Sequence, residues 1–339
     1  MRASGRAADE RRANLRSRAA ARRARVRRRR LVVFSALSVI AVALVFGAGN
    51  RVGGPNKKSA SDRALVSPNG ARAVDPSYFA PGACMSLPPT KGNRHTTVFL
   101  DAGHGGIDPG GTGHTQSGKA IAESTLNLPI ELDTADLLRA NGFTVAVSRT
   151  ADTTVLRLNS EDVSDGSLTL IGSHDDEAAR DVCANKAHAS LLVGIYFDSG
   201  SSPANAGSLT GYDAARSFSK SNVRFAQLLQ ADVLAALNAK GWGIPDDGVV
   251  PDTGLGSTPV PDDPNATLAQ EARAYDHLLL LSPAEAGYFT TPSRMPGALI
   301  EPLFLTDPFE GSIADSALGQ KTIGEGIAKA VMTYFAPTK

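Results

Sequence analysis

From residue 97 onward, short apolar runs alternate with stripes of helical period over roughly 240 residues, a pattern that leaves few folds open. Residues 97–101, TVFLD, read as a buried strand that closes on Ala-Gly. Leu126, Ile130, Leu137 and Leu138 then mark one helical face, with Pro129 suited to its first turn and Asn141-Gly142 as the stop. Strands follow at 143–147 and 190–197, with a helical stretch around 178–187 between them. Phe225, Leu228, Leu229, Val233, Ala236 and Leu237 form a further stripe that ends at Gly241. Apolar runs at 278–281 and 298–305 read as strands, and Ile323, Ile327, Val331 and Phe335 line a last helix. These elements make residues 96–336 a single α/β domain, with a largely parallel or mixed sheet flanked by helices. Residues 159–176 and 243–265 are rich in Gly, Pro, Ser and Asp and read as long surface loops.

What precedes this domain sets its compartment. Residues 31–48, LVVFSALSVIAVALVFGA, carry no charge. As a helix they would cover about 27 Å at 1.5 Å per residue, near the ~30 Å hydrocarbon core of a bilayer. Residues 1–30 hold 13 arginines against Asp9 and Glu10, and such a cluster stays on the cytoplasmic side. The expected organisation is a basic cytoplasmic tail over 1–30, a transmembrane signal-anchor over 31–49, an extracytoplasmic linker over 50–95, and the domain outside the cell membrane. A leader this long favours an uncleaved anchor; cleavage near Gly47-Ala48-Gly49 would instead release a secreted domain. The net charge of +1 hides this division, because residues 90–339 hold 17 basic and 30 acidic side chains. A globular domain of that charge does not bind nucleic acid, which needs a positive surface. Cys84 and Cys183 both fall on the outer side, where disulfides persist. A bridge would pin the linker to the body; the alternative is a free Cys84 and a Cys183 that serves as a small buried apolar residue.

The chemistry concentrates in Asp101-Ala-Gly-His104-Gly-Gly-Ile-Asp108-Pro-Gly-Gly111, where a strand ends and a glycine-rich turn presents a histidine. The loop lacks the Gly-Lys-Ser/Thr ending of a phosphate cradle and the Gly-x-Gly-x-x-Gly spacing of a dinucleotide site. His104 therefore reads as a metal ligand or proton carrier, against the plainer reading of a hydrogen-bonded loop histidine. Two carboxylates accompany it. Glu123 precedes the first helix, where it would also favour the helix dipole. Glu301 interrupts the apolar run ALIEPLFL, and a glutamate in a buried strand is costly to ionise unless it is paired, solvated in a cleft or coordinated.

The loop VFLDAGHGGIDPGG (98–111), Glu123-Ser-Thr-Leu-Asn-Leu128, Arg180-x-x-x-Ala-Asn185 and LIEPLFLTDPFE (299–310) together resemble the zinc-dependent N-acetylmuramoyl-L-alanine amidases of the type-3 family. The resemblance spans about 97–335. It implies hydrolysis of the amide between N-acetylmuramic acid and the first L-alanine of the peptidoglycan stem peptide. It also implies zinc held by His104 and Glu123, and catalytic action of Glu301 on the attacking water. One position departs: where the family carries a second metal histidine, this chain reads Gly194-Ile195-Tyr196-Phe197-Asp198. A neutral phenol is a poor zinc ligand, leaving three readings: zinc ionises Tyr196, Asp198 reaches the metal, or the site is metal-poor and the domain is a catalytically silent wall-binding or regulatory module. Another metallohydrolase activity is a further possibility. His114, His174 and His188 lack ligand spacing and read as surface or helix histidines.

Overall fold

The structure is a computed structural model that describes residues 70–253, 255, 275 and 277–337. The basic tail, the segment 31–49 and the linker as far as residue 69 lie outside the described residues. Among the described residues, no helix is long and apolar enough to cross a membrane.

An eight-stranded mixed sheet organises the domain, in the order β1-β2-β6-β3-β9-β12-β10-β11. Its centre is parallel: β6 (Thr144–Arg149), β3 (Thr97–Ala102), β9 (Leu191–Ile195) and β12 (Gly297–Glu301) run the same way. On one side β2 (Ala83–Leu87) pairs antiparallel with β6, and β1 (Arg72–Ala73) with β2. On the other, β10 (Ser208–Tyr212) runs antiparallel to β12, and β11 (Asp246–Pro251) runs parallel to β10. Two small hairpins stand apart, β4 (Thr112–His114) with β5 (Ala120–Ala122) and β7 (Val163–Ser164) with β8 (Ser167–Leu168).

Alternating strand residues serve two cores, which is why the central strands are apolar throughout. Val98 and Leu100 of β3 join a core formed with α1 (Glu123–Ala140), α3 (Ser219–Asn238) and α5 (Ala317–Tyr334). Phe99 faces the opposite core with Leu192, Leu299 and α2 (Leu170–Lys186). A short α4 (Pro308–Ala314), capped by Asp307, links β12 to α5.

Several expectations change. The linker expected over 50–95 gives way from residue 72 to β1 and β2, because Ala83 and Leu87 bury their side chains beneath the sheet edge. Cys84 of β2 is bridged to Cys183 of α2, so the pinned arrangement is the one found. Pro129 sits inside α1 rather than in its first turn; its neighbours Leu126 and Ile130 are buried, and that packing offsets the lost backbone bond. Residues 278–281 form turns instead of a strand, with Leu280 and Leu281 plugging the α2-side core. The loop read over 159–176 contains β7, β8 and the first turns of α2, capped by Thr169, and that over 243–265 contains β11.

Candidate functional site

At the carboxyl edge of β3 the chain reverses through three consecutive residues in the left-handed region, His104 (φ 60°), Gly105 (φ 136°) and Gly106 (φ 62°). A side chain at Gly105 would lie 2.3 Å from the Thr153 carbonyl oxygen, so glycine is required there by space as well as by conformation. Two buried arginines fasten this turn. Arg149, from the end of β6, donates to the carbonyls of Ala102, Gly103 and Ser124. Arg180, from α2, donates to the carbonyls of Ala102 and His104 and pairs with Asp101 at 2.7 Å and Asp176 at 2.9 Å. The conformation of the histidine turn is therefore set by side chains far away in sequence.

The His104 imidazole is held between two carboxylates. Nδ1 lies 2.7 Å from Asp108 Oδ2, and Nε2 lies 3.3 Å from Glu123 Oε2. Burial opposes the imidazolium, yet Glu123 and Asp108 outweigh it and hold His104 well above its ordinary pKa. Glu123 opens α1 and is buried; its oxygens accept the backbone N–H groups of Gly111 (2.8 Å) and Phe197 (2.9 Å). Burial favours its protonated form, but His104 and those donors prevail and lower its pKa. Ser199 Oγ is buried with no hydrogen-bond partner, and both it and Glu123 crowd the space beside Gly111.

These features suit a divalent cation at the His104–Glu123 pair. Asp108 holds Nδ1 and leaves Nε2 turned to a carboxylate, the support usual behind a metal-binding histidine. An orphaned hydroxyl, that of Ser199, stands close by.

The Tyr196 side chain is engaged with other partners. Its ring packs edge-on to His104 and covers Gly103, where a β-carbon would fall 2.3 Å from the ring. Its hydroxyl lies 2.9 Å from Asp101 Oδ2 and 3.2 Å from Glu177 Oε1. Burial, Asp101 and Glu177 keep the phenol well above its ordinary pKa, the reverse of an easily ionised ligand. Glu177 is itself pushed up to about 7 by burial, against the pull of Arg180. Asp198 bridges through its backbone to Phe304, where the chain leaves β9 and β12.

Glu301 ends β12, half-buried, at the same sheet edge as the His104 turn. The Tyr196 N–H donates to the carbonyl of Ile300, the residue before it, at 3.0 Å. The fold thus brings His104, Glu123 and the strand end carrying Glu301 to one edge. His114 is exposed on β4, His174 pairs with Asp175, and His188 follows the cap of α2 in the left-handed region. Sequence reasoning missed Arg149, Asp108 and Glu177; only Asp108, four residues after His104, offered a local signal.

Residues 98–333 match the N-acetylmuramoyl-L-alanine amidase family. No curated protein sequence matches the chain. Among solved structures, the N-acetylmuramoyl-L-alanine amidase from Clostridium difficile 630 is similar over 70% of this chain and 96% of its own, at 25% identity and a TM-score of 0.47. The CwlD amidase from Clostridioides difficile, in complex with the GerS lipoprotein, covers 70% of this chain and 98% of its own, at 19% identity and a TM-score of 0.50, a likeness of fold.

Proposed function

The chain belongs to the N-acetylmuramoyl-L-alanine amidase family, and on that premise we propose a zinc-dependent peptidoglycan amidase in which His104 and Glu123 hold the metal and Glu301 acts on the attacking water. The bond cut is the amide between N-acetylmuramic acid and the L-alanine of the stem peptide. The observation that carries the metal assignment is the 3.3 Å approach of His104 Nε2 to Glu123 Oε2, with Asp108 behind the ring.

Zinc, when bound, lowers the pKa of a coordinated water towards ~7 and polarises a carbonyl. The protein's part is placement and proton transfer. Asp108 fixes the imidazole with Nε2 turned to Glu123, the nitrogen that would hold the ion, and the Gly111 and Phe197 N–H groups orient the Glu123 carboxylate. Arg149 and Arg180 hold the turn that carries His104. Glu301 takes a proton from water and returns it to the departing alanine amine, a role that requires reach of about 2.6–3.2 Å or one intervening water.

A second reading rests on Tyr196, whose hydroxyl is committed to Asp101 and Glu177: a domain of this family that binds wall without cutting it. The two are separated by incubating the purified full-length protein with muropeptides and measuring newly freed alanine amino termini. The amidase releases them, and Glu301→Gln lowers the rate by about 10²-fold or more. The silent module releases none, with or without zinc.

The proposal includes place. Residues 31–49 anchor the chain, residues 1–30 stay in the cytoplasm, and the domain faces the wall outside. The uncharged run behind 13 arginines supports this. Protease added to intact cells should remove the domain and spare the tail; a domain protected until the cells are lysed would contradict it.

A further inference from the structure

At the opposite end of the sheet, β10 and β11 run parallel with Tyr212 beside Pro251, so Asp213 and Asp252 leave the two strands side by side. The Asp252 N–H donates to the Tyr212 carbonyl at 2.9 Å. Because β10 is antiparallel to β12, this carboxyl end lies away from the edge where β3 and β12 deliver His104 and Glu301. His277 meets the two aspartates, and one ligand atom from each residue lies within 4.8 Å of the others.

Each carboxylate has one oxygen tied down. Asp213 Oδ1 accepts the N–H groups of Ala215 (2.7 Å) and Arg216 (2.8 Å), and Asp252 Oδ2 accepts the Ser282 hydroxyl at 2.9 Å. The imidazole meets both side chains. His277 Nδ1 lies 3.3 Å from each Asp252 oxygen, of which Oδ2 also accepts the Leu278 N–H at 3.3 Å, and 3.5 Å from Asp213 Oδ2, which is buried with no hydrogen-bond partner. One nitrogen carries at most one proton, and all three separations exceed the ~2.7–2.9 Å of a charge-assisted hydrogen bond. Both aspartates are fully buried, and two facing carboxylates are costly there unless a cation joins them. Among the described residues, His277 is the one basic group within ion-pair distance of either; the Arg216 guanidinium is spent on the carbonyls of Ser282 and Ser293.

We propose that Asp213, Asp252 and His277 bind a divalent transition-metal ion of zinc's type, at a structural site separate from the amidase edge. Three convergent N and O donors with hydrogen-bonded support suit zinc, which takes about four ligands and can complete its shell with water. Calcium, which takes about 6–8 oxygens, is poorly served. The ion would fasten His277 to the ends of β10 and β11.

The test uses the full-length chain carrying His104→Ala and Glu123→Gln, so that its outcome does not depend on the amidase reading. After dialysis against zinc-free buffer, elemental analysis should find about one zinc per chain, and added Asp213→Asn or Asp252→Asn should abolish it. Cobalt(II) titration of the same parent should give the visible absorption of a tetrahedral N/O site, a readout that needs no change at these three residues. A zinc-free parent with no cobalt spectrum would overturn the proposal, and so would zinc retained at full stoichiometry by folded Asp213→Asn and Asp252→Asn proteins.

Discussion

His104 owes its position to residues distant from it in sequence. Its left-handed backbone is costly for a side chain of its size, and the arginine donors on either side maintain it. Tyr196 belongs to the same support, since its ring covers Gly103 and its hydroxyl meets the Asp101 carboxylate that pairs with Arg180. Tyr196→Phe should therefore keep the metal content of the wild type while losing about 1.5–3 kcal/mol of stability with the hydrogen bond to a charged carboxylate. A loss of metal in that variant would make the phenol a ligand after all. Glu131 is a separate buried carboxyl, pushed up to about 8 by burial although Arg149 and Ser148 pull the other way. Folded Glu131 keeps a proton that the unfolded chain releases above its ordinary pKa, so this group lowers stability as pH rises from about 4.5 to about 8. Glu131→Gln removes that slope, and denaturant unfolding at pH 5 and pH 8 should show the variant gaining on the wild type at the higher pH. What could be read from the sequence at this scale was what announces itself locally: His104 in a glycine turn, and Glu301 in an apolar strand. Arg149 could not be read so, because the carbonyls of Ala102 and Gly103 that it serves lie 47 and 46 residues away.

The same rule governs the elements. Central strands buried on both faces leave long apolar runs, and β3, β6, β9 and most of β12 were legible from them. The edge strands were not: β11 is half exposed and carries Asp246, Asp247, Gly248 and Pro251, a composition that reads as loop until β10 supplies its partner. β2 escaped notice because five residues beside a proline-rich stretch give little period to detect. Gly105→Ala tests the turn after β3. The φ of 136° and the 2.3 Å approach to Thr153 predict a loss of at least about 1–3 kcal/mol in unfolding free energy, together with loss of activity. The Cys84–Cys183 bridge joins β2 to α2 across a sequence separation of 99. Replacing both cysteines by serine should cost about 2–5 kcal/mol in denaturant unfolding, and reductant should then have no further effect on the variant.

For the whole molecule, the near-balanced charge resolves into a basic tail and an acidic body. An acidic domain is not drawn to anionic wall polymers by its average field, so its grip on substrate comes from local contacts, which the proposed function places at the edge around His104 and Glu301. Raising ionic strength should accordingly leave KM for muropeptides unchanged or lower it; a steep rise in KM with salt would point to a basic binding surface instead. That edge bears the central claim. Its most direct test measures alanine amino termini freed from muropeptides by the purified full-length protein with zinc, after chelation, and with Glu301→Gln. Metal-dependent release that Glu301→Gln cuts by about 10²-fold or more is the predicted result. Release at an undiminished rate by Glu301→Gln, or none by the zinc-loaded wild type, would contradict it.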